Sequence, residues 1–268
     1  MSWPPATAAQ VELLSDLRLP RGRREQGCCL IEGEILLGEA LGADLVPRLV
    51  AVGPGLPGSA EALLQRAAAR GASVVTLTER GARRLSDREH APGLLAAAPL
   101  PPPWDGTLPE TGPALVVALC GLQDPGNVGT LLRSALAFGA SAAVLLPGTA
   151  DAFGPKVVRA SAGAALRLPV SDVDTGALLR LAESHRLRPV AAQPPRAAGA
   201  PAGTGASPPP ERCLLLLGHE TRGVPALPGL EAASVPHEPA VESLNSAMAG
   251  SILMADWYRQ RRRAGRTP

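Results

Sequence analysis

The sequence predicts an α/β protein of two domains, a small α/β domain followed by a larger one built on a mostly parallel sheet. Three observations carry this expectation. The chain has 268 residues, more than one small module needs and enough for two cores. Short apolar runs alternate with amphipathic stretches along its length, the pattern of strands covered by helices. Between the two halves, Pro99-Leu100-Pro101-Pro102-Pro103, then Asp105-Gly106 and Gly112-Pro113, can continue neither a helix nor a central strand. The expected division is therefore 1–98, a semi-rigid linker over 99–113, and 114–268.

In the first part the periodicity predicts helices over 8–17, 35–41 and 60–69, with strands over 28–31, 49–52 and 74–77. Beyond the linker, apolar strands are expected over 114–120, 142–146, 188–192 and 213–217. Helical stretches lie between several of them, which argues a mostly parallel sheet covered on both faces. A long helix over 243–259 closes the chain. Residues 193–210 form a Pro/Ala/Gly-rich stretch too long for an ordinary loop, so it reads as a flexible surface insertion. No internal repeat is found.

Composition removes several function classes. Apolar content of 46% and charged content of 19% are those of a folding globular chain. With 2% aromatics, base stacking on Phe or Tyr platforms cannot be the main binding mode. The net charge is only +2, but the positive residues cluster: Arg18, Arg21, Arg23 and Arg24 in one group, Arg259, Arg261, Arg262, Arg263 and Arg266 in another. Each cluster reads either as a phosphate-binding patch or as a solvated face. Cys28, Cys29, Cys120 and Cys213 lack metal or disulfide spacing, so free thiols are expected. His219-Glu220-Thr221-Arg222-Gly223 opens like a zinc-protease helix but has Gly where the second histidine is needed, and no metal site is expected. Neither a leader segment nor an apolar run of about 18 residues is present, which gives the expectation of a cytoplasmic protein without a membrane span.

Three segments carry candidate chemistry. Gln123-Asp124-Pro125-Gly126-Asn127-Val128-Gly129-Thr130-Leu131-Leu132-Arg133 follows a strand and opens a helix, a place where backbone N–H groups meet anions. Asn127 is the expected N-cap. Val128, Leu131, Leu132, Ala135 and Phe138 share one helix face, and Arg133 points away from it. That leaves its guanidinium for a phosphate, a carboxylate or an ordinary surface ion pair. The spacing is not the G-x-G-x-x-G of nicotinamide-binding folds.

The second segment, Leu214-Leu215-Leu216-Leu217-Gly218-His219-Glu220-Thr221-Arg222-Gly223, is a buried strand ending in a polar turn, and ligands of parallel sheets gather at such carboxyl ends. Glu220 there is either a ligand-facing charge or the turn partner of Arg222. In the third, Val235-Pro236-His237-Glu238-Pro239-Ala240-Val241-Glu242-Ser243-Leu244-Asn245-Ser246-Ala247-Met248-Ala249-Gly250, extended backbone runs into a helix. Ser243, Asn245 and Ser246 in its first turn can cap it, bond a ligand, or both. Leu244, Ala247, Met248 and Ala255 are expected on its apolar side.

In order and wording these segments resemble the three motifs of SpoU-type (TrmH-like) RNA 2′-O-ribose methyltransferases of the SPOUT superfamily. The resemblance runs from about Ala114 to Tyr258 and includes a connecting helix within Asp151–Gly163. More weakly, Arg18 to Glu39, with Ile31-Glu32-Gly33-Glu34 at its centre, is similar to the ribosomal-protein-like RNA-binding domain that precedes many such enzymes. The fold this implies is α/β: a C-terminal SPOUT-type parallel sheet flanked by helices with a deep trefoil knot, preceded by a small α/β RNA-binding domain. The resemblance implies S-adenosylmethionine as cofactor, held by Leu217, Gly218, Val235, Pro236, Ser243 and Leu244 largely through the backbone.

It further implies a catalytic set of Asn127, Arg133, Glu220 and Asn245, RNA contacts from Arg18, Arg21, Arg23 and Arg24, and a homodimer with sites near the subunit interface. The substrate is RNA, ribosomal rather than transfer RNA in the reading favoured by the N-terminal domain. The alternatives are a tRNA 2′-O-methyltransferase and an inactive RNA-binding protein of the same fold. Pro239 stands where the family commonly has a glycine shortly after the Val-Pro pair. A guanidinium is a poor base, so Arg133 is expected to grip the adjacent phosphate and stabilise the developing alkoxide. Water, a phosphate oxygen or Glu220 would then accept the proton.

Overall fold

The computed structural model describes the chain apart from residues 1–2, 55, 57, 87–92, 195–209, 219–221, 239 and 266–268. Glu220, Pro239 and most of the expected insertion therefore lie outside the described residues. Two compact units result: residues 1–102 with 151–167, and residues 103–150 with 168–268.

The first unit contains α1 (Ala8–Asp16), α2 (Pro20–Gln26), β1 (Cys28–Glu32), α3 (Glu34–Gly42), β2 (Leu49–Val52), α4 (Glu61–Ala69), β3 (Ser73–Thr76), α5 (Glu79–Arg84) and β4 (Leu94–Pro99). Its sheet has the order β1-β4-β2-β3, with β2 and β3 parallel and β4 antiparallel to both of its neighbours. Alternation along β4 divides the core: Leu94, Ala96 and Ala98 pack with Leu37, Leu41 and Leu64, while Leu95 and Ala97 pack with Leu14 and Leu17. Helix α1 starts where the Thr7 hydroxyl accepts from Gln10 N–H and the Gln10 side chain returns to the Thr7 N–H, a reciprocal cap. Helices α2 and α5 and strand β4 are additions to the sequence expectation. The first two have seven and six residues, too short for a helical period to show.

The segment Asp151–Arg167, which the sequence reading runs uninterrupted within the second domain, belongs to this first unit. It carries α7 (Pro155–Ala160), and Val158 and Leu166 join the core beside Leu36 and Leu37. Ion pairs reinforce the apolar contact. Arg159 Nη1 donates to Glu32 Oε1 at 2.6 Å, and Ser86 Oγ donates to Glu32 Oε2 at 2.8 Å. Arg23 donates to Asp151 Oδ2 from Nε at 3.0 Å and to the Leu17 carbonyl from Nη1 at 2.9 Å.

Arg23 is only 4% exposed, so its guanidinium is an internal strut and is withdrawn from any surface that RNA could touch. This corrects its place among the expected RNA contacts. The rest of that cluster lies nearer solvent: Arg24 is exposed, Arg21 pairs with Glu25 at 2.6 Å, and Arg18 is half-buried with Nη1 donating to the Arg84 carbonyl.

The second unit holds β5 (Ala114–Cys120), α6 (Pro125–Ala137), β6 (Ala142–Leu145), β7 (Val170–Asp172), α8 (Thr175–Ser184), β8 (Arg188–Ala192), β9 (Arg212–Gly218), β10 (Glu231–Ala233) and α9 (Ser246–Arg263). Six strands run in the order β10-β8-β9-β5-β6-β7, every pair parallel, as the alternation of strands and helices requires. The outermost strands, β7 and β10, have three residues each and were beyond the reach of pattern reading. At the centre, β5 and β9 pair from Ala114 with Arg212 to Cys120 with Gly218, which brings their carboxyl ends level.

Among the described residues no helix is long and apolar enough to cross a membrane, and no group of His, Cys, Asp and Glu could hold a metal. The four cysteines are free and buried. Burial pushes the thiols of Cys29, Cys120 and Cys213 up to about 12, which keeps them protonated and poorly nucleophilic.

Candidate functional site

The site forms where the central strands stop. Leu217 and Gly218 end β9, and the chain returns at Gly223 so closely that a Cβ on Gly218 would lie 2.4 Å from the Gly223 carbonyl oxygen and 2.8 Å from Val224 Cγ1. Only glycine fits between the strand end and the returning backbone. Gly218→Ala is expected to cost about 1–3 kcal/mol through forced displacement of backbone and to lower the unfolding midpoint by several degrees. Calorimetry checks this, and an unchanged midpoint would show that the turn is looser than these distances require.

Beside this turn lies a cleft of about 270 Å³, near the lower end of what small-molecule sites occupy. Leu217, Gly218, Gly223 and Val224 form one wall, Val235 and His237 another, and Ser243, Leu244, Ser246 and Ala249 a third. Ala192, the last residue of β8, and Gln193 and Pro194 just beyond it complete the lining. Five of the six residues expected to hold a cofactor are thus brought together. Pro236 does not line the cleft, and its ring is exposed. The lining residues that sequence reasoning missed at Ala192–Pro194 follow from the strand order: β8 is the neighbour of β9, so its carboxyl end opens onto the same crevice.

Helix α9 supplies the floor and sets the depth. It begins at Ser246, later than the expected Ser243, because Asn245 is the N-cap: its Oδ1 accepts from Ala247 N–H at 2.9 Å and Met248 N–H at 3.2 Å. Ser246 Oγ donates to the Gly218 carbonyl at 3.3 Å, tying the helix start to the end of β9. A Cβ on Gly250 would meet Leu131 Cδ2 at 2.7 Å and Leu217 Cδ2 at 2.8 Å, so this glycine lets α9 settle against α6 and β9 together. Met248, expected on the apolar side, is 57% exposed: the buried face of α9 runs through Ala247, Gly250, Met254 and Trp257, and Met248 shares the outer face with Ile252.

Helix α6 is capped by Asp124, whose Oδ1 accepts from Asn127 N–H at 2.7 Å, and this displaces Asn127 from the expected N-cap to the first turn. The Asn127 side chain is thereby freed for another partner. Asn245 Nδ2 donates to Asn127 Oδ1 at 3.1 Å, so these two expected site residues, 118 positions apart, stand in contact at the joined starts of α6 and α9. Ser134 and Ser251, with Oγ atoms 2.7 Å apart, repeat the link two turns further along.

Val128, Leu131, Leu132 and Ala135 are buried as the helical wheel requires, and Arg133 is exposed on the opposite face. Among the described residues Arg133 has neither an ion pair nor a hydrogen bond, which leaves the guanidinium open rather than spent on a surface salt bridge. It does not line the cleft. Glu220, the remaining member of the expected catalytic set, lies outside the described residues.

The donor set limits what the cleft can take. Apolar side chains, two serine hydroxyls, the Gln193 carboxamide, one imidazole and main-chain groups line it, and among the described lining residues there is neither Lys nor Arg. That composition suits a purine nucleoside carrying a zwitterionic tail better than a nucleoside phosphate, whose charge calls for cations or a glycine-rich amide cradle.

Comparison with known proteins agrees with this geometry. The SpoU rRNA Methylase family model matches residues 114–255, and the MRM3-like substrate binding domain model matches residues 8–96. Mouse rRNA methyltransferase 3, mitochondrial, is 28% identical over 298 residues, an alignment that covers 90% of this chain and 69% of the mouse protein. Among solved structures, an RNA 2′-O ribose methyltransferase is 27% identical with a TM-score of 0.76, covering 97% of this chain and 99% of its own. An AdoMet-bound rRNA methyltransferase from Sinorhizobium meliloti shares the fold at 24% identity, with a TM-score of 0.81 over 98% of both chains.

Proposed function

The chain belongs to the SpoU rRNA methylase family, and from that premise we propose that it transfers a methyl group from S-adenosylmethionine to a ribose 2′-hydroxyl of ribosomal RNA. The observation that carries the reading is a cleft lined by two of the three sequence motifs, β9 through Leu217 and Gly218 and the approach to α9 through Val235, Ser243 and Leu244, with the first motif tied to the start of α9 beside it by the Asn245–Asn127 hydrogen bond. Bound there, S-adenosylmethionine supplies an electrophilic methyl group on a sulfonium. Leu217, Gly218, Val235 and Leu244 would hold it with apolar surface and main chain, and the hydroxyls of Ser243 and Ser246 would be at hand for its polar atoms.

Nucleophile positioning falls to the remaining residues. Asn127 and Asn245 hold the two helix starts at fixed separation, and Arg133, unpaired and exposed, grips the phosphate next to the target ribose and stabilises the developing alkoxide. Glu220, water or a phosphate oxygen accepts the proton. The cleft carries no arginine of its own among the described lining residues, which supports a homodimer in which Arg133 serves the site across the subunit interface. The parallel order that inserts β9 between β8 and β5 is compatible with a trefoil knot in this half of the chain. Likeness of residues 8–96 to a substrate-binding domain supports a role for the first unit, with Arg18, Arg21 and Arg24, in holding RNA.

Incubating the full chain with isotopically labelled S-adenosylmethionine and separately with ribosomal and transfer RNA tests the reading, with digestion to nucleosides and mass spectrometry as the readout. Label in 2′-O-methylribose from ribosomal RNA is the expected result. Label on a base would overturn the ribose assignment, label only in transfer RNA would overturn the substrate, and no affinity for the methyl donor would remove the cofactor.

A further inference from the structure

The loop between β10 and α9 must keep its shape with few donors of its own. Pro236 and Pro239 have no N–H, and the turn within it is held by Val241 N–H donating to the Glu238 carbonyl at 3.0 Å. His237 adds a brace from its side chain. Its Nδ1 lies 2.8 Å from the Val235 carbonyl oxygen and its Nε2 lies 3.1 Å from the Val241 carbonyl oxygen. One imidazole thus spans the loop from the second residue before it to the fourth after it. Carbonyls only accept, so each contact is a full hydrogen bond only where that ring nitrogen carries its proton.

This brace sits in the wall of the cleft. Val235 and His237 line it before the loop, Ser243 and Leu244 line it after, and the ring joins the carbonyl of Val235 to that of Val241, two residues short of Ser243. His237 is the one described lining residue with an ionisable side chain, while Glu238 and Glu242 on the same loop are exposed. Both ring nitrogens face main chain, so the imidazole acts through the loop.

We propose that His237 is a positioning residue for the cofactor, a two-ended clasp between the Val235 and Val241 carbonyls, made with one hydrogen bond by the neutral ring and with both by the imidazolium, that fixes the distance between the Val235 wall and the Ser243–Leu244 wall. This proposal rests on the reading of the cleft as the S-adenosylmethionine site.

The test uses the full-length protein, with S-adenosylmethionine titrated by calorimetry and turnover measured on RNA at saturating cofactor. His237→Ala should raise the cofactor Kd about tenfold, the loss of one hydrogen bond of about 1.4 kcal/mol, with kcat kept within about twofold. His237→Gln, which offers an N–H to one carbonyl from a more flexible side chain, should fall between, at about threefold. Added imidazole should recover part of the affinity of His237→Ala, and 1-methylimidazole, whose neutral ring has no N–H to donate, should recover less. If the unaltered protein does not bind the methyl donor, the cofactor reading itself fails. If it binds and His237→Ala binds within twofold of it, the clasp is overturned, as it is if kcat collapses at unchanged Kd. Should His237→Ala not fold by circular dichroism, His237→Gln decides, and full affinity in that variant overturns the two-ended brace.

Discussion

Arg133→Ala is expected to reduce methyl transfer at saturating substrates by about 10²–10³-fold, the scale seen when a group stabilising developing charge is removed, while the Kd for S-adenosylmethionine stays within about twofold. The separation follows from placement. Arg133 lies on the exposed face of α6, outside the cleft lining, so removing it leaves the walls that hold the cofactor intact. Its backbone position is set by Leu131, Leu132 and Ala135, all fully buried, and none of them depends on the guanidinium. Exposed helix substitutions of this kind cost well under about 1 kcal/mol in stability, so the folded fraction should not change.

Arg133→Lys keeps the charge but loses the planar fork, and is expected to recover only part of the rate, because a bidentate hold on phosphate orients the ribose as well as attracting it. Mixing the inactive variant with a cleft variant such as Gly218→Ala supplies a second readout. Partial recovery of turnover in the mixture is expected on the proposal that the protein is a dimer in which one subunit's arginine serves the other's cleft. Equal loss of cofactor binding and turnover in Arg133→Ala would count against the assignment, since it would make the arginine part of the cofactor wall.

What the sequence revealed and what it hid divide along physical lines. The long elements were legible: β5, β9 and α9 have seven or more residues, so apolar runs and helical periods had room to declare themselves. Short edge strands such as β7 and β10 had not. Roles at helix starts were harder to read: Asp124 rather than Asn127 caps α6, and of Ser243, Asn245 and Ser246, all open as caps of the last helix, Asn245 is the one that caps α9, because a choice among adjacent small polar residues turns on backbone angles rather than residue type.

The contact between Asn127 and Asn245 could not be read from spacing, because 118 residues separate them and only the fold brings α6 and α9 together. Arg23 shows the converse. In sequence it is one of four clustered arginines, and only the position of Asp151, 128 residues away, turns it inward. Resemblance to a family picked out five residues that line one cleft, which periodicity alone did not, yet it was silent on His237, whose contacts with two backbone carbonyls arise only in the fold.

The largest effect on stability is expected from Arg159. Its Nη1 meets Glu32 Oε1 at 2.6 Å, and the Glu32 side chain is 2% exposed. Removing the arginine leaves a buried carboxylate to which the Ser86 hydroxyl still donates at 2.8 Å. A buried ion whose counter-ion is deleted costs about 3–5 kcal/mol, and the serine bond holds the expectation for Arg159→Met near the lower end of that range. The methionine keeps most of the apolar stem that packs beside Val158, so the loss reports charge rather than volume.

For a chain of this size, about 3 kcal/mol corresponds to a fall of roughly 6–12 °C in the midpoint of the transition that reports residues 1–102 and 151–167. The double variant Arg159→Met with Glu32→Leu separates the causes. Neither charge then remains to be desolvated, and most of the lost stability is expected to return, as when apolar residues replace an internal ion pair elsewhere. Differential scanning calorimetry on the single and double variants decides the matter. If Arg159→Met alone melts within about 2 °C of the unaltered protein, equivalent to less than about 1 kcal/mol, then Glu32 is better solvated than its 2% exposure implies, and α7 is held by Val158 and Leu166 without electrostatic help.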